Sequence, residues 1–150
     1  MQKEHKIMTH VSLEELGKSE IKVGGWSMWP FIRNNDIIQV IKNSEKLSRG
    51  VVVVFFIKKQ LIAHRVVKLI TGNNQDNKLL VQGDFETDAK TCIDKNEVIG
   101  KIHGIKDGSF FRNIWFTPPY CRMTIVLGFL CRFIFKSKLF KFIEAIKIKY

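Results

Sequence analysis

Long apolar stretches are missing from this sequence. No run of about 18 uncharged apolar residues occurs, as a membrane-spanning helix would need. The longest candidate, Met123 to Leu130, is bounded by Arg122 and Arg132. If the chain meets a membrane, it is therefore expected to lie on it. The first twenty residues include Lys3, Glu4, Lys6, Glu14, Glu15, Lys18 and Glu20, with no apolar run of seven, and do not fit a secretory signal. Cysteine is scarce: Cys92, Cys121 and Cys131, an odd count without CxxC spacing. That excludes a disulfide framework and a zinc signature, and reads as ordinary reduced thiols in a cytoplasmic or peripherally membrane-associated protein. No internal repeat or low-complexity segment is found. Gly24-Gly25 lacks a phosphate-loop context, and nothing points to a cofactor or metal.

Acidic residues are also few. Against 25 Lys and Arg stand 14 Asp and Glu, a net charge of +11. Eight basic residues and one acidic residue (Glu144) lie between Arg112 and Tyr150, so +7 falls there and +4 elsewhere. Basic charge among Phe, Ile and Leu suits an anionic membrane surface better than a nucleic-acid groove, and no nucleic acid is expected as partner.

What is present is a globular composition: 150 residues, 45 % hydrophobic and 26 % charged. Ser12 with Glu15 forms a capping box for a short helix to about Lys18. Ile21–Val23, Ile37–Ile41, Val51–Ile57, Leu61–Leu69, Leu79–Gln82 and Val98–Ile105 read as strands, with Lys58-Lys59-Gln60 at hairpin spacing and a polar loop over residues 71–77. Pro118-Pro119 marks a boundary. The expected fold class is mainly β. A helical lead-in covers 1–19, a β domain 20–108 and a basic, apolar helical tail 109–150. The apolar face of the tail is not clean at helical spacing. A membrane-surface anchor and helices packed on the β domain both fit it.

Four blocks carry chemistry: Gly25-Trp26-Ser27-Met28-Trp29-Pro30, Arg49-Gly50 through Phe55, Ile62-Ala63-His64-Arg65-Val66-Val67, and Gln82-Gly83-Asp84 through Asp88, followed by Val98-Ile99-Gly100-Lys101-Ile102. A serine hydroxyl is a weak nucleophile until a base takes its proton. Histidine suits that task near neutrality, and a carboxylate on its other nitrogen fixes the tautomer. The β region offers Ser27, His64, and Asp84 or Asp88. Singly, each has an ordinary reading as a turn serine, a core histidine, a turn aspartate and a solvated aspartate.

In order and content these blocks resemble the successive boxes of the signal peptidase I family, over about residues 20–105. The resemblance implies a signal-peptidase-like β fold and a serine endopeptidase that cleaves leader or signal segments from precursor peptides or preproteins. It makes Ser27, in Ser-Met-x-Pro, the nucleophile. His64 before Arg65 is similar to the endoplasmic-reticulum, archaeal and sporulating-bacterial branch, which uses histidine where the bacterial branch uses lysine. The orienting carboxylate is then Asp84 or Asp88, and Arg65 is structural or electrostatic support. Met28 and Pro30 are expected at the substrate. Trp26 and Trp29 line the cleft, touch lipid headgroups or pack partly in the core. Asn35-Asp36 stands where the family usually has Gly-Asp, and Asn tolerates the left-handed backbone such a turn needs. Most members carry an N-terminal transmembrane helix, which this sequence does not show. Two alternatives stand beside this reading: a Ser-Lys repressor-cleaving type of peptidase using Lys58 or Lys59, and a catalytically silent membrane-surface or peptide-binding protein on the same fold.

Overall fold

A computed structural model describes residues 16–42, 47–58, 60–70, 77–86, 90–117 and 120–136. Its strands are β1 (Lys18–Lys22), β2 (Ile37–Lys42), β3 (Val52–Ile57), β4 (Gln60–Ile70), β5 (Lys78–Gln82), β6 (Thr91–Asp94) and β7 (Val98–Ile105). They form one sheet in the order β1-β2-β7-β3-β4-β5-β6, antiparallel throughout. The chain is thus mainly β, as its composition and periodicity predict. β1 begins at Lys18, where the lead-in helix was expected to end. The rest of that helix, from Ser12 through Glu15, lies outside the described residues. So do residues 71–76 of the polar loop, Lys59, Asp88, Pro118-Pro119 and the tail beyond Lys136.

β3 explains the architecture. It lies centrally in the sheet, between β4 and β7, and its uninterrupted apolar run sends alternate side chains into a core on each face. Val52 and Val54 join Met28, Ile32, Ile38, Val40, Ile102 and Ile105 on one face. Val53 and Phe55 join Leu47, Val66, Leu79, Val81, Ile93 and Val98 on the other. Fully burying a Val or Phe side chain stabilises by about 1.5–3 kcal/mol. β3 therefore anchors two cores at once. β4 pairs with it in a register that sets His64 opposite Val53 and Arg65 opposite Val52. Opposed residues share a face, so neighbours His64 and Arg65 point into different cores.

After β7, a short helix α1 (Phe110–Asn113), a 3-10 turn (Ile114–Phe116) and a helix α2 (Tyr120–Lys136) follow. Ile105 N–H donates to Asn113 Oδ1 at 2.8 Å, and Asn113 Nδ2 donates to Gly108 O at 3.2 Å, fixing α1 to the end of the sheet. Phe116 packs against the first core and Trp115 meets Phe31 edge-on at 5.6 Å. α2 rests on Gly50: a Cβ there would lie 2.5 Å from Cys121 O, and Gly50 has φ +97°, so only glycine fits. No helix among the described residues is long and apolar enough to cross a membrane.

Candidate active site

Ser27 sits on a loop between β1 and β2 that is closed at its base. Val23 N–H donates to Asp36 O (2.8 Å), and Asn35 N–H donates to Val23 O (2.9 Å). Asn35 takes φ +69°, the left-handed backbone its type permits. Arg112 from α1 binds the Asp36 carboxylate and braces the same loop. Inside the loop, Trp29 N–H donates to Trp26 O and Ile32 N–H to Met28 O, both at 3.0 Å. Met28 and Ile32 drop into the first core and hold the turn down. Ser27 is left partly buried, and its N–H has no hydrogen-bond acceptor among the described residues.

The turn after β5 meets the Ser27 loop directly. Phe85 N–H donates to Ser27 O at 2.8 Å. A Cβ on Gly83 would lie 2.7 Å from that same oxygen and 3.0 Å from the Glu86 carboxyl carbon. Glycine at 83 thus lets the two turns touch while bringing the Glu86 carboxylate to the contact. Glu86 is placed by its backbone: its N–H donates to Gly83 O (3.3 Å), and Gln82 Nε2 donates to its carbonyl (3.0 Å). Phe85 meets Trp29 edge-on at 5.8 Å, a second contact between the turns.

Glu86 Oε1 then faces His64 Nε2 at 3.6 Å. This exceeds a hydrogen bond but is short enough for the carboxylate to favour an imidazolium electrostatically. His64 is buried, edge-on to Phe55, and its Nδ1 has no hydrogen-bond partner among the described residues. Burial holds its pKa below the usual histidine range, while the Glu86 and Asp84 carboxylates oppose that shift. The result is an imidazole kept neutral near pH 7, as a general base must be, with a carboxylate ready for the charged form.

Asp84 has another partner. Arg65 Nε donates to Asp84 Oδ1 at 2.8 Å and Nη2 to Oδ2 at 2.6 Å. Arg65 Nη1 donates to Gly50 O at 2.7 Å, and the guanidinium stacks over Phe31 at 5.4 Å. Arg65 is fully buried and Asp84 is 3 % exposed. The expected role of Asp84 in orienting His64 is therefore corrected: both its oxygens bind Arg65, because Arg65 and His64 occupy opposite faces of β4. Arg65, expected as structural or electrostatic support, ties β4 to Asp84 and to the Gly50 carbonyl.

The Ser27 backbone thus meets the turn that carries Gly83 and Glu86, and Glu86 in turn faces His64; no hydrogen bond joins Ser27 and His64 among the described residues. Ser-His contacts without substrate are often long and close only in the complex. Met28, expected at the substrate, is a core residue instead, 3 % exposed. Its backbone turn, not its side chain, serves the site. Pro30 is partly buried after a cis peptide with Trp29, and Trp26 is exposed. Lys58 lies exposed at the β3–β4 hairpin turn with φ +44°. His64 lies four residues into β4 from its first residue, Gln60, about 13 Å along the strand at 3.3–3.4 Å per residue. Glu86 was missed in the sequence. Its signal was only a third carboxylate inside the Gly83–Asp88 block. Among the described residues no group of three His, Cys, Asp or Glu side chains is placed to hold a metal. In comparisons with known proteins, no family model and no curated protein matches the chain.

Proposed function

We propose that this protein is a serine endopeptidase of signal peptidase I type that cleaves leader or signal segments from precursor peptides, with Ser27 as nucleophile, His64 as base and Glu86 as the carboxylate that steadies His64. One observation carries the reading. The Ser27 turn is docked, through Phe85 N–H and Gly83, onto the same turn that delivers Glu86 to a buried histidine. The four sequence blocks supply the family.

Ser27 Oγ attacks the scissile carbonyl carbon as its proton passes to His64. The uncommitted Ser27 N–H faces the developing oxyanion, the kind of donor that lowers such barriers most. The imidazolium, favoured by Glu86, gives its proton to the leaving amine as the C–N bond breaks. A water then loses a proton to His64 and attacks the acyl ester, releasing the new C-terminus and restoring Ser27. By the same resemblance, the substrate is an extended peptide paired along a strand, with small side chains before the cut.

The test compares N-termini by mass spectrometry in cells carrying wild type or Ser27→Ala. New N-termini after small residues, present only with wild type, are expected, and Ser27→Ala loses on the order of 10⁶-fold in rate. If they fall in one small precursor, the enzyme is a dedicated leader peptidase. Identical profiles, with both proteins folded, would replace this reading with the silent binding protein.

A further inference from the structure

α2 is built the wrong way round for a helix whose outer face meets water. Cys121, Thr124 and Gly128, at positions i, i+3 and i+7, are buried. The contact is close because these residues are small: Cys121 O lies against Gly50, and Thr124 Oγ1 donates to Cys121 O at 2.6 Å. The opposite arc, Met123, Val126 and Leu130 at the same spacing with Phe129 beside them, is exposed, Val126 to 61 % and Phe129 to 64 %. Soluble helices carry polar residues on that arc, and a contiguous apolar strip there marks an interaction surface.

Charge identifies the occupant. No Asp or Glu occurs from Arg112 through Ile143, while that stretch holds six of the chain's basic residues. Large apolar side chains interleaved with unopposed cations fit a surface that offers hydrocarbon and negative charge together. A protein interface core is, by contrast, depleted in charge. α2 has 17 residues, about 25 Å at 1.5 Å per residue, and does not cross a bilayer. It can lie in the interface plane.

We infer that the outward face of α2, centred on Met123, Val126, Phe129 and Leu130, docks the protein on the surface of an anionic lipid bilayer. The docking is independent of the Ser27 chemistry.

The probe is sedimentation of the whole protein with phosphatidylcholine vesicles, with and without phosphatidylserine. Binding to phosphatidylserine vesicles that weakens as salt rises is expected. Val126→Asp with Phe129→Asp lowers it at least about tenfold. The milder pair Val126→Ser with Phe129→Ser lowers it less, and Ser27→Ala leaves it unchanged. Loss of cleavage with binding intact separates the two proposals. Several results would overturn this one. They are no binding by wild type, binding unchanged in both paired variants, a concentration-dependent dimer that the serine pair abolishes, or a lower melting temperature in the serine pair, which would mean that the chain itself covers this face.

Discussion

β4 carries two charge sites back to back, and their construction differs. On the first-core face, Arg65 has three hydrogen bonds of 2.6–2.8 Å and a ring beneath it, and both oxygens of Asp84 are used. On the second-core face, His64 faces Glu86 at 3.6 Å, Nδ1 has no hydrogen-bond partner among the described residues, and Glu86 is 35 % exposed. The two carboxylates are two residues apart in one turn. The saturated pair holds the fold, since a buried ion pair is tolerable only when its geometry is complete. The slack pair retains a basic nitrogen and a carboxylate that can tighten when charge develops. A residue already bonded on every side stabilises the structure but has nothing left to offer a substrate.

The largest effect separates the two faces. Arg65→Ala and Asp84→Ala each leave an uncompensated buried charge and are expected to destabilise by about 3–5 kcal/mol, read from urea midpoints. The double variant should cost less than the sum of the singles. If Asp84 instead served His64, Asp84→Asn would lose rate while keeping stability, and the division between faces would collapse. Next comes the contact that joins the turns. Gly83→Ala puts a methyl group against the Ser27 carbonyl and the Glu86 carboxylate. Overpacking of this kind costs about 1–3 kcal/mol. Cleavage should fall more than folded fraction does, because the substitution pushes the Ser27 turn from Glu86. Equal losses in both would make Gly83 a folding residue alone.

How much of this was legible depended on what each segment encodes locally. β3 was visible because a strand buried on both faces is apolar throughout, and β7 was placed to the residue at Val98–Ile105. β6 was not read: in Thr91-Cys92-Ile93-Asp94 only Ile93 is buried, so four residues show one apolar signal. The tail looked unclean for a reason now evident. From Cys121 through Leu130, the packed arc of α2 is made of small residues and its exposed arc of large apolar ones, the reverse of what the hydrophobic pattern assumes. Ser27 and His64 are proposed from the order of their blocks, since each residue type alone has an ordinary reading. The carboxylate could not be chosen in this way. Which of Asp84 and Glu86 reaches which face of β4 is set by the turn at Gly83, and by Arg65 claiming Asp84 across 19 residues of sequence.

Glu86→Gln is the smallest change and the sharpest test of the slack pair. Glu86 is partly exposed, so its loss should move stability at pH 7 by no more than about 1 kcal/mol. Its effect lies in the pH dependence. Burial keeps His64 in the folded protein below the ordinary histidine range, and Glu86 pulls the other way. Above about pH 6.5, the ordinary histidine value, His64 is neutral whether the chain is folded or not, and it contributes no pH dependence. As pH falls below that value the unfolded chain gains a proton that folded His64 resists, so stability declines until the folded group titrates. Removing Glu86 lowers the folded value further and extends the decline to more acid pH. Urea midpoints at pH 7.5 and 5.5 should therefore diverge more in Glu86→Gln than in wild type, and less in His64→Gln. The acid limb of kcat/KM should move the same way, to lower pH, while activity on its neutral plateau falls because the imidazolium loses its carboxylate. An unmoved limb would mean that Glu86 does not act on the base. A limb moved upward would mean that another acid governs the rate.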